Sequence, residues 1–249
     1  MSTIITTLKE EADSGQPPIY ICFSSIDGTG KTTHVDLLVN ELRKVGFKVK
    51  KSKEPGNEDL PASMVFRDVM LNAKYTKEMT MLAREFASQA ARSISMEKDI
   101  FPILDNVNND NYNFIIQDRG ALDGIAYGMA EGNDKELLQI FVDKILQKKE
   151  RKLKSAYHIY HLIIYFDGDV KTCLERARKC KSEFKQGDVI ESKGIEYMKQ
   201  VKQNMEQELD ILEQDDKSRV LRININNKSI DQVEEEINNY IIERFSLHE

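Results

Sequence analysis

Residues 19–33 read IYICFSSIDGTGKTT, and this stretch decides the fold. Its first five residues are apolar and predict a short buried strand. The sequence Gly28-x-Gly30-Lys31-Thr32 follows, and apolar residues then recur at helical spacing up to Gly46, where we expect the helix to stop. A glycine-rich loop between a strand and a helix is the context in which backbone N–H groups bind phosphate. The stretch therefore predicts a phosphate-binding loop, although Ser25 stands where the usual pattern has its first glycine.

Short apolar stretches alternate with amphipathic segments along the rest of the chain. They predict further strands at residues 47–51, 114–118, 162–167 and 219–225, with mainly helical segments between them. With the phosphate-binding loop, this alternation predicts an α/β, P-loop NTPase three-layer fold: a five-stranded parallel sheet, helices on both faces and a basic lid. Because ligands bind at the carboxyl ends of the strands in such sheets, we expect four strand ends to converge on one cleft.

The chain divides into a polar N-terminal extension at residues 1–18, ending in Gly-Gln-Pro-Pro, and one domain at residues 19–249. Residues 61–107 are mostly helical in pattern. Five apolar residues lie there on one helical stripe, namely Met79, Leu82, Phe86, Ala90 and Ile94. Residues 176–187 contain five basic residues and one acidic residue, which predicts a mobile basic lid at about residues 178–190.

Composition excludes several classes of function. The 249 residues contain 36 Lys and Arg against 42 Asp and Glu, a net charge of −6, which argues against general nucleic-acid binding. The longest apolar run, residues 162–166, is far too short to span a bilayer. The three cysteines contain no C-x-x-C spacing and suit a reducing compartment. We expect a cytoplasmic protein that binds neither nucleic acid nor membrane.

Five residues carry the chemistry expected at the cleft. Lys31, which we expect to be exposed in the loop, would reach the β- and γ-phosphates of a nucleotide, and the Thr32 hydroxyl would bind Mg²⁺. Asp118 ends the third strand, where a carboxylate can hold Mg²⁺ or its water shell. Arg119 can clamp a phosphoryl group through two hydrogen bonds. Glu54, at the end of the second strand, places a further carboxylate near the cleft.

The order and spacing of these motifs resemble the thymidylate kinase family of P-loop nucleoside monophosphate kinases. The loop at residues 23–33 is similar to that family's phosphate-binding loop, and Lys53-Glu54-Pro55-Gly56 is similar to its Arg-Glu-Pro-Gly turn. The other matching features are Arg92 ten residues before Pro102, Asp118-Arg119 followed by Ala126-Tyr127, residues 167–174 with Arg176 and Arg178, Asp188-x-x-Glu191, and Ser229-Ile230-x-x-Val233.

The resemblance implies a role for each matching residue. The donor nucleotide, ATP, would bind to Asp27, Gly28, Thr29, Gly30, Lys31, Thr32 and Thr33, with Arg176 and Arg178 in the lid covering it. The acceptor, a nucleoside monophosphate, would bind to Asp27 through a sugar hydroxyl, to Lys53, Arg67 and Arg119 through its phosphate, to Tyr127 at the sugar and to Arg92 at the base. The resemblance also implies Mg²⁺ as cofactor, a homodimer formed through helices, and a place in dTTP biosynthesis.

The sequence departs from the family where the acceptor base would bind. Ser88 replaces the stacking aromatic residue, Gly120 replaces the aromatic residue after Asp-Arg, Asp123 replaces a serine, and Gly128 replaces the base-reading glutamine. A wider pocket discriminates less by shape, so we expect activity on a monophosphate besides dTMP, with dUMP and dGMP the first to test. Asp123 either contacts the acceptor base or caps the helix that follows Arg119.

Three functions are compatible with these residues. The first is a Mg²⁺-dependent kinase that transfers the γ-phosphoryl group of ATP to a nucleoside monophosphate, with dTMP to dTDP as the expected reaction. The second is a deoxynucleoside kinase, in which Glu54 would be the general base for a sugar 5′-hydroxyl. Arg67 separates these two, because a nucleoside has no phosphate for it to hold. The third is a P-loop protein that binds nucleotide without catalysis.

Overall fold

The computed structural model describes residues 17–107, 110–147, 153–179, 188–190 and 192–246. The strands in these ranges are β1 (Ile19–Ser24), β2 (Val49–Lys53), β3 (Phe114–Asp118), β4 (Leu162–Asp167) and β5 (Val220–Asn224). The helices are α1 (Lys31–Lys44), α2 (Pro61–Leu71), α3 (Met81–Ser95), α4 (Phe101–Leu104), α5 (Ala121–Ala130), α6 (Lys135–Leu146), α7 (Val170–Lys179), α8 (Ile195–Asp216) and α9 (Ile230–Ser246). A π-helical turn, Met96–Ile100, joins α3 to α4.

The five strands form one parallel sheet in the order β2-β3-β1-β4-β5, as the sequence predicts. Strands β1, β3 and β4 are almost fully buried, which explains why their sequences are continuous apolar runs rather than alternating ones. In the sheet, β2 and β3 lie on one side of β1, and β4 and β5 lie on the other side. A crevice therefore opens at the carboxyl end of β1, where the order reverses.

The predicted strands match the observed ones closely, with one shift. Strands β3 and β4 have the predicted bounds, but β2 begins at Val49 rather than Phe47. Gly46 adopts φ 95° after the last turn of α1, and the Phe47 N–H donates to the Leu42 carbonyl at 3.0 Å. Phe47 therefore belongs to the turn that closes α1, and it packs on Phe114 instead of extending the sheet.

The apolar stripe in the predicted helical region does not face the core. Leu82 is 42% exposed and Phe86 is 53% exposed on α3. The buried side of the same helix carries Glu85, Gln89 and Arg92. The amphipathic pattern is present, but α3 turns its polar side inward, because that side faces a cavity and not the apolar core.

Two parts of the predicted organisation lie largely or wholly outside the described residues. Most of the N-terminal extension does so, as residues 1–16 are not described, and so does most of the predicted lid, residues 180–187. Asp188 and Val189, at the end of that lid, contact the C-terminal end of α2, where Val189 N–H donates to the Leu71 carbonyl at 2.9 Å. Within the described ranges, the helices are too short or too polar to cross a membrane.

His161 gives the fold a pH dependence. Its Nδ1 accepts a hydrogen bond from the Tyr20 backbone N–H at 2.9 Å, and the backbone N–H of His161 donates to the Tyr20 carbonyl at 2.8 Å. Burial, together with the charges of Arg219 and Arg244, lowers the pKa of His161 to about 4. The folded chain therefore holds this imidazole neutral.

Stability is expected to fall as the pH drops from about 6.5 to 4, because over that range the unfolded chain binds a proton that the folded chain excludes. The contribution of His161 to the free energy of unfolding is fully present above pH 6.5, and about 3 kcal/mol of it is lost by pH 4. Urea unfolding of the wild type and of His161→Gln at several pH values measures it. The free energy of unfolding of the variant should change less with pH across this window than that of the wild type. Equal changes with pH for the two proteins would contradict the assignment.

Candidate active site

A cavity of about 480 Å³ lies at the carboxyl ends of β1, β2 and β3. The loop after β1 forms one wall, and residues of α2, α3 and α5 form the others. Three of the four predicted strand ends therefore meet here. The fourth end differs: Asp167 does not line the cavity, and it accepts a hydrogen bond from Lys202 of α8 at 2.6 Å.

The phosphate-binding loop has the expected glycine conformations. Gly28 and Gly30 adopt φ values of 82° and 84°, and Gly30 is the N-cap of α1. A Cβ on Gly28 would overlap the backbone carbonyl oxygen of Cys173 in α7, so this glycine also allows two elements to approach closely. Ser25, in place of the usual glycine, bonds to the Thr29 hydroxyl at 2.6 Å and stabilises the loop from within.

Lys31 is buried, not exposed as its position in the loop suggested. Its side chain is 6% exposed and forms an ion pair with Asp118, whose other oxygen accepts a hydrogen bond from the Thr32 hydroxyl at 2.6 Å. Burial by itself raises the pKa of Asp118, but the charges of Lys31 and Arg119 and these hydrogen bonds outweigh burial and hold the pKa well below its usual range. Asp118 is therefore an ionised carboxylate next to the phosphate-binding loop.

Arg119 connects the phosphate-binding loop to α5. It adopts φ 69°, forms an ion pair with Asp27, and donates to Asp123 at 2.8 Å and to the Ser25 carbonyl at 3.1 Å. Tyr127 donates its hydroxyl to Asp27 at 3.1 Å and places its ring 5.1 Å from the guanidinium carbon. These contacts fix the direction of Arg119 along the cavity wall.

Asp123 is held by α5 itself. One carboxylate oxygen accepts from the N–H of Gly120, the N-cap residue of α5, at 3.2 Å, and the other accepts from Arg119. The side chain lines the cavity but is only 4% exposed. These contacts favour the helix-capping alternative over direct contact with the base.

Replacing Asp123 with serine is therefore expected to lower the free energy of unfolding by about 1–2 kcal/mol, since Arg119 loses a buried partner. The ranking of acceptor bases should not change. Thermal melts combined with relative kcat/KM values for dTMP, dUMP and dGMP provide the measurement. An altered ranking at an unaltered melting temperature would instead place Asp123 at the base.

Lys53 and Arg67 lie at the cavity beside the loop after β2. Arg67 donates to the Pro55 carbonyl at 2.7 Å, and its Cβ lies 2.9 Å from the place that a Gly56 Cβ would take. Gly56, at φ 84°, thus lets the turn after β2 pack tightly on α2. The structure brings both basic residues to the same cavity as Arg119.

Glu54 and Arg92 form a buried ion pair on the cavity wall. Arg92 Nε donates to Glu54 Oε2 at 2.7 Å, and Arg92 Nη1 donates to Gln89 Oε1 at 2.8 Å. The side chains of Glu54 and Arg92 are 3% and 2% exposed. Arg92 therefore lines the cavity as the resemblance implies, but its guanidinium is already bound on two sides.

Sequence reasoning missed the polar residues that extend this network along α3. Gln89 donates to Glu85 at 2.5 Å, so Glu85, Gln89 and Arg92 form one hydrogen-bonded row. Burial raises the pKa of Glu85, against the effect of the Gln89 hydrogen bond and the Arg92 charge. The i, i+4, i+7 spacing of three polar residues on one face of a predicted helix was the available signal.

Other side chains occupy the space beside Gly120 and Gly128, the two glycines that replace larger residues of the family. A Cβ on Gly120 would lie 2.6 Å from the Tyr160 hydroxyl and 2.7 Å from Cys22 Sγ. A Cβ on Gly128 would lie 2.8 Å from Leu138 and 3.0 Å from Glu85 Oε2. The space left by these glycines is thus used by their neighbours, and the pocket is not simply widened as the sequence suggested.

Arg176 and Arg178 lie on α7, with both side chains exposed. They are not among the residues that line the cavity. The structure places them at the last turn of α7, directly before the undescribed residues 180–187.

A family model described as thymidylate kinase matches residues 24–237. A thymidylate kinase from a Geobacillus species is 31% identical to the chain over 163 residues, which are 65% of this chain and 70% of that protein. A thymidylate kinase from Helicobacter pylori is 28% identical over 223 residues, which are 90% of this chain and 98% of that protein.

Solved structures show the same fold at lower identity. The thymidylate kinase from Ehrlichia chaffeensis aligns with a TM-score of 0.62 and 18% identity, covering 90% of this chain and 98% of that one. The thymidylate kinase from Candida albicans, whose structure is described as revealing the origin of broad substrate specificity, aligns with a TM-score of 0.65 and 22% identity, covering 92% and 93%. The three-layer P-loop fold is therefore confirmed.

Proposed function

The chain belongs to the thymidylate kinase family, whose members are nucleoside monophosphate kinases, and from that premise we propose that it transfers the γ-phosphoryl group of ATP to dTMP, forming dTDP on the path to dTTP. The observation that carries this proposal is the placement of two sets of cations around one cavity. Lys31 and the loop N–H groups suit the phosphates of ATP. Lys53, Arg67 and Arg119 line the same cavity and suit the phosphate of an acceptor.

The reaction needs positioning and charge neutralisation more than proton transfer. The acceptor's phosphate oxygen is already anionic, so no side chain has to remove a proton from it. Lys31 would leave Asp118 for the β- and γ-phosphates, and Arg119 would contact the phosphoryl group as it passes between the nucleotides. Asp27, held by Arg119 and Tyr127, lines the same cavity and suits the acceptor's sugar hydroxyl.

Thr32 and Asp118 fit the demands of Mg²⁺. Both present oxygen atoms, they lie 2.6 Å apart, and the carboxylate is ionised. Within the described residues there is no cluster of three or more His, Cys, Asp or Glu side chains that could hold a metal ion. Mg²⁺, when bound, would neutralise the β- and γ-phosphate oxygens.

The deoxynucleoside kinase alternative is not favoured. That reaction needs Glu54 as a general base within reach of a 5′-hydroxyl. Glu54 is 3% exposed and its Oε2 accepts a hydrogen bond from Arg92 at 2.7 Å, so the carboxylate is held as a buried ion pair on the cavity wall. The non-catalytic alternative is also not favoured, since the family consists of enzymes and Lys31, Thr32, Asp118 and Arg119 are assembled at one site.

We further propose that Arg176 and Arg178 cover ATP when the lid closes.

We also propose that two chains pair through α3 and α6. Phe86 of α3, 53% exposed, packs on Phe141 of α6, and Ile140 beside it is 54% exposed. Exposed apolar side chains on adjacent helices are typical of a protein–protein interface. Sedimentation of the wild type and of Phe86→Glu tests the pairing, which a monomeric wild type would contradict.

The function is tested by ADP formation with ATP, Mg²⁺ and one acceptor at a time: dTMP, dUMP, dGMP, dCMP or thymidine. Turnover with dTMP and none with thymidine is expected. Turnover with thymidine alone would replace the proposal with the nucleoside kinase. ADP formation that does not depend on any acceptor would leave only nucleotide hydrolysis.

A further inference from the structure

Glu85 lies in a place that is costly for a carboxylate. The residue is 6% exposed, lines the cavity, and receives one charge-neutral hydrogen bond from Gln89. The nearby guanidinium of Arg92 directs its hydrogen bonds to Glu54, Gln89 and the Gly120 carbonyl. A buried carboxylate with so little compensation is destabilising unless a ligand supplies a donor.

The position of Glu85 within the cavity indicates which part of a ligand it meets. Lys31 and Arg119 lie beside the phosphate-binding loop, so phosphates suit that end of the cavity. Glu85 lies beside Gly128 in the later turns of α5, and the cations of α3 that also line the cavity are held by other partners, because Arg84 donates to the Met70 carbonyl and Arg92 to Glu54. Between Gly120 and Gly128, α5 rises about 12 Å, enough to separate a phosphate from the far edge of its nucleoside. The base of the acceptor therefore reaches Glu85.

Few other groups at this end can select a base by shape. Ser88 offers no ring on which a base could stack, and Gly128 has no side chain. Met70 and Met81 also line the cavity, and their flexible side chains adapt to different outlines. Hydrogen bonds can supply the selection that shape does not, and Glu85 Oε2, at 3.0 Å from the place of a Gly128 Cβ, is an acceptor at the wall where the base would lie.

We propose that Glu85 is a specificity-determining residue that accepts a hydrogen bond from a ring N–H of the acceptor base. Thymine and uracil offer N3–H and guanine offers N1–H, so one carboxylate can serve all three bases. This inference rests on the proposed function and adds to it the chemical group that the site reads. It also gives a physical reason for activity beyond dTMP, because a single hydrogen bond sets few demands on the outline of the base.

The test compares dTMP with its N3-methyl derivative, which lacks the N–H, at pH 8 in the wild type, Glu85→Leu, Glu85→Gln and the control Glu97→Leu. Glu97 is exposed just after α3, outside the cavity. For the wild type and the control we expect kcat/KM to be about 10- to 100-fold lower with the methylated acceptor. For Glu85→Leu we expect kcat/KM with dTMP to fall by about the same factor, mainly through KM. This variant should then discriminate less than about threefold between dTMP and its N3-methyl derivative. Glu85→Gln, which keeps an acceptor oxygen, should lie between them.

The inference would be overturned if Glu85→Leu and the wild type discriminated equally between dTMP and its N3-methyl derivative. It would also be overturned if Glu85→Leu lowered kcat/KM equally for both acceptors. Melting temperatures and binding of a non-hydrolysable ATP analogue establish that each variant folds. If the wild type binds the analogue but phosphorylates no monophosphate, the proposed function itself fails. If it phosphorylates dTMP and Glu85→Leu does so equally well, only the role of Glu85 fails.

Discussion

Replacing Lys31 with methionine is expected to lower kcat for phosphoryl transfer by about 10³-fold or more, since a charge that acts on the transferring phosphoryl group is lost. Methionine keeps most of the side-chain volume, so the loop should retain its path. The buried Asp118 loses its ion-pair partner but keeps the Thr32 hydrogen bond and the nearby Arg119 charge. We therefore expect a stability loss of about 2 kcal/mol, far too small to unfold the chain.

Steady-state kinetics of Lys31→Met and of the control Lys44→Met measure this effect. Lys44 is exposed in the last turn of the same helix, and its variant should match the wild type in kcat. Circular dichroism and thermal melts verify the fold of both. A Lys31→Met enzyme with kcat within tenfold of the wild type would remove Lys31 from the chemistry.

Gly28→Ala is expected to have the largest effect on stability. The new methyl group would overlap the Cys173 carbonyl oxygen, and the backbone there has φ 82°, which strains any L side chain. The two effects together should cost about 3–5 kcal/mol and lower the melting temperature by about 10 °C. Affinity for ATP should fall as well, because the loop must move away from α7.

Gly30→Ala is the matched control for this prediction. Gly30 has nearly the same conformation, φ 84°, but no atom lies within 4 Å of its ideal Cβ. Its substitution should cost only the backbone strain, about 1–2 kcal/mol. Similar melting temperatures for the two variants would show that the close approach of the loop to α7 does not matter for stability.

The sequence predicted the sheet well because strands such as Phe114–Asp118 are buried on both faces and must be apolar throughout. It also identified the residues at the strand ends, where chemistry-bearing side chains are conspicuous against apolar runs. The direction of α3 could not be predicted in the same way. Periodicity shows that Leu82 and Phe86 share a face, but not whether that face meets the core, a cavity or solvent.

The pairing of side chains within the site was also beyond sequence reasoning. Lys31 reads as an exposed loop residue, yet it is buried because Asp118, 87 positions away, lies beside it across two neighbouring strands. Glu54 reads as a free carboxylate at a strand end, yet Arg92 from a distant helix neutralises it. Gly128 reads as an empty position, yet Leu138 and Glu85 fill it. Each of these outcomes depends on long-range contacts that local pattern does not encode.

The central claim is that the phosphoryl group of ATP is transferred to the phosphate of dTMP and not to a sugar hydroxyl. Phosphorus NMR of the wild-type enzyme with ATP, Mg²⁺ and dTMP follows this transfer directly. We predict the loss of the dTMP resonance and the growth of two coupled resonances of dTDP, in step with ADP. A dTMP resonance that stays unchanged while thymidine, in a parallel sample, is converted to dTMP would contradict the account.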